Sequence, residues 1–151
     1  MVHVSLMVAD CCSEDGIREI ERLSAKNSLG NLYSAITEHL GFHRTEGEFK
    51  VMGMAAVGTP NQFDLASLIK EATTLYEIND EIYSKLTAKS CYESFYNCAY
   101  LNSLGLPQRR FDQKLRKEHF NLASSLQKIF EEWLVKIIDK YKTNHRFLVY
   151  S

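Results

Sequence analysis

A long amphipathic segment near the carboxyl end constrains the fold of this 151-residue chain more than any other feature. From about 113 to 142, apolar side chains recur three and four residues apart, while Ser124, Lys128 and Lys136 fall between them. This period predicts one helix with a single buried face. The face comprises Leu122, Leu126, Phe130, Leu134, Ile137, Ile138 and Tyr141. Other elements must cover so long an apolar face, so the chain is expected to form a packed core.

β-Structure is predicted at both ends of the chain. Apolar residues alternate with others from residue 2 to residue 8, which is typical of a strand with one buried face. Asp15-Gly16 is a turn signal, and the ambiguous run 17–23 is interpreted as the second strand of a hairpin. Residues 147–150 begin another β-prone run, which stops in mid-pattern and predicts a truncated final strand.

Two helices are predicted after the hairpin. Asn27-Ser28 supplies a cap for the first helix, and Gly41 ends it because glycine tolerates the left-handed conformation. The apolar segment 48–57 is interpreted as a short helix packed on most sides. Gly53 within this segment costs about 1 kcal/mol relative to alanine, which suggests the close approach of another backbone or of a ligand.

The middle of the chain is expected to be a helical insert. Apolar residues at helical spacing predict a helix from Asn61 to about Ala88, and Tyr92, Tyr96 and Tyr100 recur four residues apart on a further short helix. We interpret the tyrosines as a packing face rather than as a platform for bases. The sequence therefore predicts a helix-rich α+β chain of four regions. These are a β-hairpin region (1–26), two helices (27–60), a helical insert (61–112) and a long helix with the final strand (113–151).

The charge balance excludes a general nucleic-acid-binding protein. Lysine and arginine number 18 and aspartate and glutamate 19, which gives a net charge of −1. No apolar run reaches the roughly 18 residues of a membrane span, and the amino-terminal MVHVSLMVADCC lacks the basic region of a signal peptide. A cytoplasmic protein is therefore expected. The four cysteines match no zinc-binding spacing and are interpreted as free thiols.

Several polar residues have both a structural and a functional interpretation. His39 and His43 have the spacing of a metal pair on a helix, but Gly41 should end the helix between them, so surface or capping histidines are preferred. Arg109-Arg110 has the chemistry to hold an anion, with a solvated loop pair as the default interpretation. Three further residues stay open in the same way. His119 is either polar cover or a site residue, and Glu48 and Lys50 flank an otherwise apolar segment.

Three stretches together resemble the carbamoyltransferase family of nodulation and antibiotic-tailoring O-carbamoyltransferases. The first motif, SLGNLYSAITEHLGF at 28–42, is similar to S-L-G-x-L-Y-S-A-x-T-x-x-L-G-F. The second motif, GEFKVMGMA at 47–55, is similar to G-E-Y-K-V-M-G-L-A. The third motif spans 106–127 and ends in HFNLASSLQ, similar to H-x-D-L-A-A-S-x-Q. The resemblance covers about 17–151, with the motifs in the family's order and spacing.

The resemblance implies a part of an actin-like ATPase (ribonuclease H-like) domain. It implies chemistry in which carbamoyl phosphate and ATP form a carbamoyl-adenylate near a divalent metal, and the carbamoyl group passes to a hydroxyl acceptor. No catalytic residue and no metal ligand is assigned in this chain. The residues expected to line the nucleotide cleft are Ser28, Gly30, Glu48, Lys50 and Gly53. Lys50 is expected to meet anionic substrate.

The chain also departs from the family pattern. Asn27 replaces a usual histidine, Ala56-Val57 replaces a common Pro-Tyr, and Asn121 replaces a common aspartate, while Asp10 is left unassigned. Other family segments are not recognised, among them a His-x-x-x-His metal pair and a Gly-Gly-Val phosphate loop. We therefore expect an internal fragment that is inactive alone. The alternative is a catalytically inactive, stand-alone helical interaction module, with self-association through an incomplete sheet.

Overall fold

A three-stranded antiparallel sheet contains both ends of the described chain. The computed structural model describes residues 6–13, 16–73, 75–83, 96–141 and 147–150, with only the backbone described before Leu23 and after Tyr141. Strand β1 (Leu6–Ser13) lies between β2 (Gly16–Leu23) and β5 (Phe147–Tyr150). Ser13 pairs with Gly16, and Met7 pairs with Tyr150. The hairpin and the final strand are confirmed, while residues 2–5 and Asp15 lie outside the described residues.

Helix α1 (Leu29–His39) begins and ends as its sequence predicts. The Ser28 hydroxyl accepts a hydrogen bond from the Asn31 N–H at 3.2 Å, which satisfies one of the open amides of the first turn. Gly41 has a φ of +76°, and a Cβ there would lie 2.5 Å from the Arg109 carbonyl oxygen. The left-handed turn and the close approach both require glycine at this position.

Helix α2 (Glu48–Ala55) is shorter and more exposed than predicted. Only Val51 and Met54 are buried in it, whereas Phe49 is 66% exposed and Met52 is 55% exposed. The prediction of a helix packed on most sides was therefore wrong. Among the described residues, α4 (Lys117–Tyr141) and α1 contact the helix on one side.

The prediction of a helix from 61 to about 88 was wrong over its described residues. Two short strands, β3 (Ile69–Glu71) and β4 (Tyr76–Ile78), pair in an antiparallel hairpin that is flanked by single turns of 3₁₀ helix. This hairpin and its flanks bury Leu68, Ile69, Leu75, Tyr76, Ile78 and Ile82. Together with Ala72, they recur at spacings of one to four residues, which imitates a helical face, although the burial comes from two strands and two turns.

Helix α3 (Cys98–Asn102) forms only the end of the predicted tyrosine helix. Tyr92 lies outside the described residues, and Tyr96 forms an isolated β-bridge with Tyr83. The helix begins after Asn97, whose side chain accepts a hydrogen bond from the Tyr100 N–H at 3.2 Å. Tyr96 is nevertheless buried, so its interpretation as a packing residue is confirmed.

Helix α4 is the long helix that the amphipathic pattern predicts, beginning at Lys117 rather than at about 113. Its buried face is rotated from the predicted one, because Ile138 is 47% exposed while Ile129 and Trp133 are buried. Trp133 packs against Tyr76 of the hairpin, with ring centroids 5.2 Å apart. The hairpin is thus the element that selects this face of the helix.

Two polar residues that the sequence placed at the surface are buried. His39 is 2% exposed, and its Nε2 lies 2.8 Å from the carbonyl oxygen of Leu106. Arg109 is 7% exposed, and its guanidinium donates to the carbonyls of Leu40 at 2.8 Å and Phe111 at 3.0 Å. The predictions of a surface His39 and a solvated Arg109 were wrong, because the loop before α4 folds over the end of α1.

His119 is buried, whereas His43 is exposed. His119 is buried, and its Nδ1 accepts a hydrogen bond from the Arg116 N–H at 2.8 Å, which caps the start of α4. His43 is exposed, as predicted. Among the residues whose placement is described, no helix is both long and apolar enough to cross a membrane.

Candidate functional site

A groove of about 420 Å³ lies where α1, α2 and α4 meet. It brings together Ser28 and Gly30 from the first motif and Glu48 from the second motif, which are three of the five predicted cleft residues. The other lining residues are Asn31, Tyr33, Ser34, Met52, Gln127 and Phe130. Residues from all three motifs therefore meet at one surface.

Glu48 is the charged side chain among the described residues that line this groove. Its Oε1 accepts a hydrogen bond from the Ser34 hydroxyl at 2.6 Å and another from the Thr45 N–H at 3.0 Å. Burial alone would raise the pKa of the carboxyl, but these hydrogen bonds and the backbone N–H groups at the start of α2 outweigh it and lower the pKa. Glu48 is therefore ionised at neutral pH and held in one position.

Tyr33 and Phe130 form an apolar wall beside Glu48. Their ring centroids lie 5.4 Å apart in an edge-to-face arrangement. The Tyr33 hydroxyl donates a hydrogen bond to Oε1 of Gln127 at 3.0 Å, and Gln127 donates in turn to Glu131 at 2.7 Å. Burial, followed by the nearby charges of Glu48 and Glu131, raises the pKa of Tyr33 to about 12. Tyr33 is thus a neutral hydroxyl.

Lys50 and Gly53, the other two predicted cleft residues, do not line the groove. Lys50 follows Glu48 by two residues, so it lies on another face of α2, with its Nζ 5.8 Å from the ring centroid of Phe42. A Cβ on Gly53 would meet no described atom within 4 Å. The close backbone approach predicted at Gly53 occurs at Gly58 instead, where a Cβ would overlap the Phe120 carbonyl of α4.

The groove suits neutral polar groups and apolar rings better than phosphate. Among the described lining residues there is no lysine, arginine or histidine, and the ionised Glu48 repels anions. In the described ranges of the chain, no group of three or more His, Cys, Asp or Glu residues is arranged to hold a metal ion. A triphosphate with its metal therefore does not fit these residues, whereas hydroxyl groups that donate to a carboxylate do.

Tyr33, Ser34 and Gln127 are groove residues that the sequence interpretation missed. Gly30, Tyr33 and Ser34 follow one another at i, i+3 and i+4, which places them on one face of a helix. That spacing was sufficient to connect them to Gly30 once α1 was predicted. Gln127 is the last residue of the third motif, and only the packing of α4 against α1 brings it to the groove.

The structure gives a role to two of the three departures from the family pattern, at Asn27 and Asn121. Asn27 Oδ1 accepts a hydrogen bond from the Ile78 N–H at 3.1 Å and so joins the hairpin to the start of α1. Asn121 Oδ1 accepts from the Thr59 N–H at 2.9 Å, a bond that an aspartate would also make. Val57 is 75% exposed, and nothing in the structure explains it.

The fold is α+β, residues of three sequence motifs line its groove, and the family comparison gives the class of the chain. The family model for the carbamoyltransferase N-terminus matches residues 6–149, nearly the whole chain. The chain therefore belongs to the carbamoyltransferase family, a family of transferases. The resemblance stated from the three motifs is confirmed.

Two relatives show how much of a family protein this chain spans. It is 29% identical over 114 residues to the uncharacterized protein sll1178 of Synechocystis sp., which is 74% of this chain and 18% of that protein. It is 28% identical over 121 residues to the uncharacterized protein MJ1058 of Methanocaldococcus jannaschii, again 18% of the relative and 80% of this chain. The chain thus spans under a fifth of the relatives that it matches.

Proposed function

We propose that this chain contributes to carbamoyl transfer from carbamoyl phosphate, through an ATP-derived carbamoyl-adenylate, to a hydroxyl acceptor. The family match over residues 6–149 supports the reaction class. In this proposal the chain is part of an actin-like ATPase domain in a cytoplasmic enzyme. The observation that carries the proposal furthest is the groove, because three family motifs supply its lining.

The groove is proposed to bind the nucleoside end of ATP rather than its phosphates. Ribose hydroxyls are donors that match the ionised Glu48 carboxylate, since hydrogen bonds to a charged acceptor are stronger than neutral ones. The Tyr33 and Phe130 rings and the Met52 side chain offer apolar contact to a base. Ser28 and Asn31 at the start of α1 add further polar groups at the edge of the groove.

The phosphates, the carbamoyl phosphate and the divalent metal are assigned to groups outside this groove. Phosphoryl chemistry needs positive charge to stabilise the charge that develops on oxygen, and no groove residue carries it. Lys50, which the family resemblance pairs with anionic substrate, faces another side of α2. The present residues therefore bind and orient one end of the nucleotide and take no direct part in the transfer.

Calorimetric titration of the chain with adenosine, ATP and tripolyphosphate tests this assignment. We expect adenosine and ATP to bind with similar affinity and tripolyphosphate not to compete. Glu48→Gln should weaken adenosine binding roughly tenfold or more, because it removes a charge-assisted hydrogen bond worth about 1.5–3 kcal/mol. Lys50→Ala is the matched control on the other face of α2 and should bind adenosine normally. Competition by tripolyphosphate would contradict the proposal.

An interaction module without catalysis is the second candidate. The sheet order β2-β1-β5 leaves β2 and β5 as edges within the described residues, and an open edge is a template for pairing with another chain. The same titration separates the two candidates. Adenosine binding that depends on Glu48 favours the enzyme part, whereas a chain that binds no nucleoside and self-associates through its sheet favours the module.

A further inference from the structure

The side chain of Gln127 reaches from the wall of the groove toward the exposed surface of α4. Its Oε1 accepts a hydrogen bond from the Tyr33 hydroxyl at 3.0 Å, and its Nε2 donates to Oε1 of Glu131 at 2.7 Å. Tyr33 lines the groove, whereas Glu131 is exposed one turn further along α4 and is not among the described lining residues. The oxygen of the Gln127 amide is therefore the atom on the groove side.

The two partners of Gln127 favour one orientation of its amide group. An ionised carboxylate accepts hydrogen bonds and donates none, so Glu131 faces the NH₂ group of Gln127. A flipped amide would place its oxygen against the carboxylate oxygen, which is repulsive. The Tyr33 hydroxyl can donate or accept, so it pairs with whichever amide atom Glu131 leaves to it. Glu131 thus determines which atom of Gln127 lies on the groove side.

The Gln127 oxygen keeps the capacity to bond a ligand. An amide oxygen has two lone pairs, and the Tyr33 hydroxyl uses one of them. In the part of the chain that the structure describes, no second donor bonds this oxygen. The remaining lone pair attracts a hydrogen-bond donor and repels another acceptor. A ligand is therefore selected by which of the two it places beside Gln127.

We propose that Gln127 selects the base of the bound nucleoside at position 6 of a purine, and that Glu131 is the positioning residue that sets this choice. The inference rests on the proposed nucleoside site, in which the Tyr33 and Phe130 rings contact the base. Adenine carries an amino donor at position 6, whereas guanine and hypoxanthine carry an oxygen acceptor there. The Gln127 oxygen accepts a hydrogen bond from the amino group and repels the oxygen. The groove therefore favours adenine over the other two bases.

Calorimetric titration with three nucleosides that differ at position 6 tests the selection. Adenosine carries an amino group there, purine riboside a hydrogen and inosine an oxygen. We expect adenosine to bind about tenfold more tightly than inosine, with purine riboside between them, because inosine leaves two acceptors facing each other. Equal affinities for adenosine and inosine overturn the selection, while binding of both that depends on Glu48 leaves the nucleoside site standing. Binding of none of the three overturns the nucleoside site and this inference with it.

Glu131→Lys tests the positioning role. A lysine ammonium donates and cannot accept, so it should attract the Gln127 oxygen and turn the NH₂ group toward Tyr33, whose hydroxyl then accepts. The preference for adenosine over inosine should fall from about tenfold to parity or below. Glu132→Lys makes the same charge change on the next residue, which pairs with Lys128 at 3.7 Å, and should keep the preference. Both positions are exposed, so neither change should unfold the chain. An unchanged preference in Glu131→Lys would overturn the role of Glu131.

Discussion

The Ser34 hydroxyl is one of the groups that lower the pKa of Glu48 in the groove. Ser34 Oγ donates to the carboxylate at 2.6 Å, and this bond is the first of the hydrogen bonds that lower the pKa of Glu48 against the effect of burial. We expect Ser34→Ala to raise the pKa of Glu48, measured by NMR titration of its side-chain carboxyl. Ser67→Ala is the control, because the Ser67 hydroxyl donates to the Asp64 carbonyl away from the groove. An unchanged Glu48 pKa in Ser34→Ala would refute this role.

The same pKa shift has a consequence for stability. Because the pKa of folded Glu48 lies below its ordinary value, the unfolded chain binds the proton more readily. The stabilisation from Glu48 is present above the ordinary carboxyl pKa and is lost as the pH falls through the lowered folded value. Ser34→Ala should therefore reduce the free energy of unfolding at neutral pH and reduce its dependence on acid pH.

His39 and His119 make the fold sensitive to mild acid. Burial is the main cause that lowers the pKa of both imidazoles. The neighbouring His119 lowers the pKa of His39 further, and the neighbouring Arg116 and Arg109 lower the pKa of His119. The unfolded chain protonates first, so stability is full above the ordinary histidine pKa of about 6.5 and falls as the pH drops below it. Each histidine contributes up to about 1.4 kcal/mol per pH unit to this loss.

His39→Gln tests that pH dependence. Glutamine retains a donor for the Leu106 carbonyl but no proton to titrate, so the slope of unfolding free energy against pH should decrease below about pH 6.5. Urea unfolding at several pH values measures the slope. His43→Gln, the same substitution at an exposed position, is the matched control. An identical slope in wild type and His39→Gln would show that His39 does not titrate between the two states.

At the scale of elements, Arg109 joins the loop before α4 to the end of α1. Its guanidinium bonds to the carbonyls of Leu40, Phe111 and Gln113, and its N–H donates to the His39 carbonyl. Arg109→Ala removes the guanidinium donors of the buried Leu40 carbonyl and of the partly buried Phe111 and Gln113 carbonyls, while the backbone bond to His39 remains, and it should cost about 2–4 kcal/mol.

Arg110→Ala is the matched control for Arg109→Ala because the two arginines are adjacent. The Arg110 side chain is 75% exposed and pairs with Asp112 at 3.4 Å, so its removal should change the unfolding free energy by less than about 1 kcal/mol. Chemical unfolding of both variants measures the difference. Equal, small effects would mean that water replaces the Arg109 contacts.

Elements with local signals were predictable from the sequence. The Ser28 cap and the Gly41 turn fixed the ends of α1, and the 3.6-residue period fixed α4. The β3–β4 hairpin was not predictable, because the link 72–75 contains no glycine, proline or asparagine to mark a turn. Its position depends on distant contacts, such as the bond from the Ile78 N–H to Asn27 and the packing of Tyr76 on Trp133.

The groove was also predictable only in part, because some of its residues are linked by local spacing and others by distant packing. Ser28, Gly30 and Glu48 came from motif resemblance, and helical spacing from Gly30 leads to Tyr33 and Ser34. The exclusion of Lys50 also follows from helix geometry, because residues two apart do not share a face. The packing of α4 on α1 could not be predicted from the sequence. It depends on how side chains fit together that lie nearly a hundred residues apart in the chain.

At the scale of the whole molecule, α4 is the common support of the described elements. Phe130 of α4 contacts Tyr33 of α1, Trp133 contacts Tyr76 of the hairpin, and the Phe120 carbonyl lies against Gly58 after α2. The groove is therefore part of the core arrangement rather than an addition to a loop. Its shape depends on α4, so ligand binding at the groove should stabilise the whole described region together.

The charge of the groove decides what this chain does by itself. The described lining residues provide a carboxylate, hydroxyls and apolar rings but no cation, so none of them would stabilise charge on the phosphates of a bound nucleotide. We expect the 151-residue chain, with ATP, carbamoyl phosphate and Mg²⁺, to release neither phosphate nor pyrophosphate above a blank, while adenosine binding remains. Coupled assays for both products measure this. Release that exceeds a Glu48→Gln control would contradict the prediction and assign the transfer chemistry to this chain.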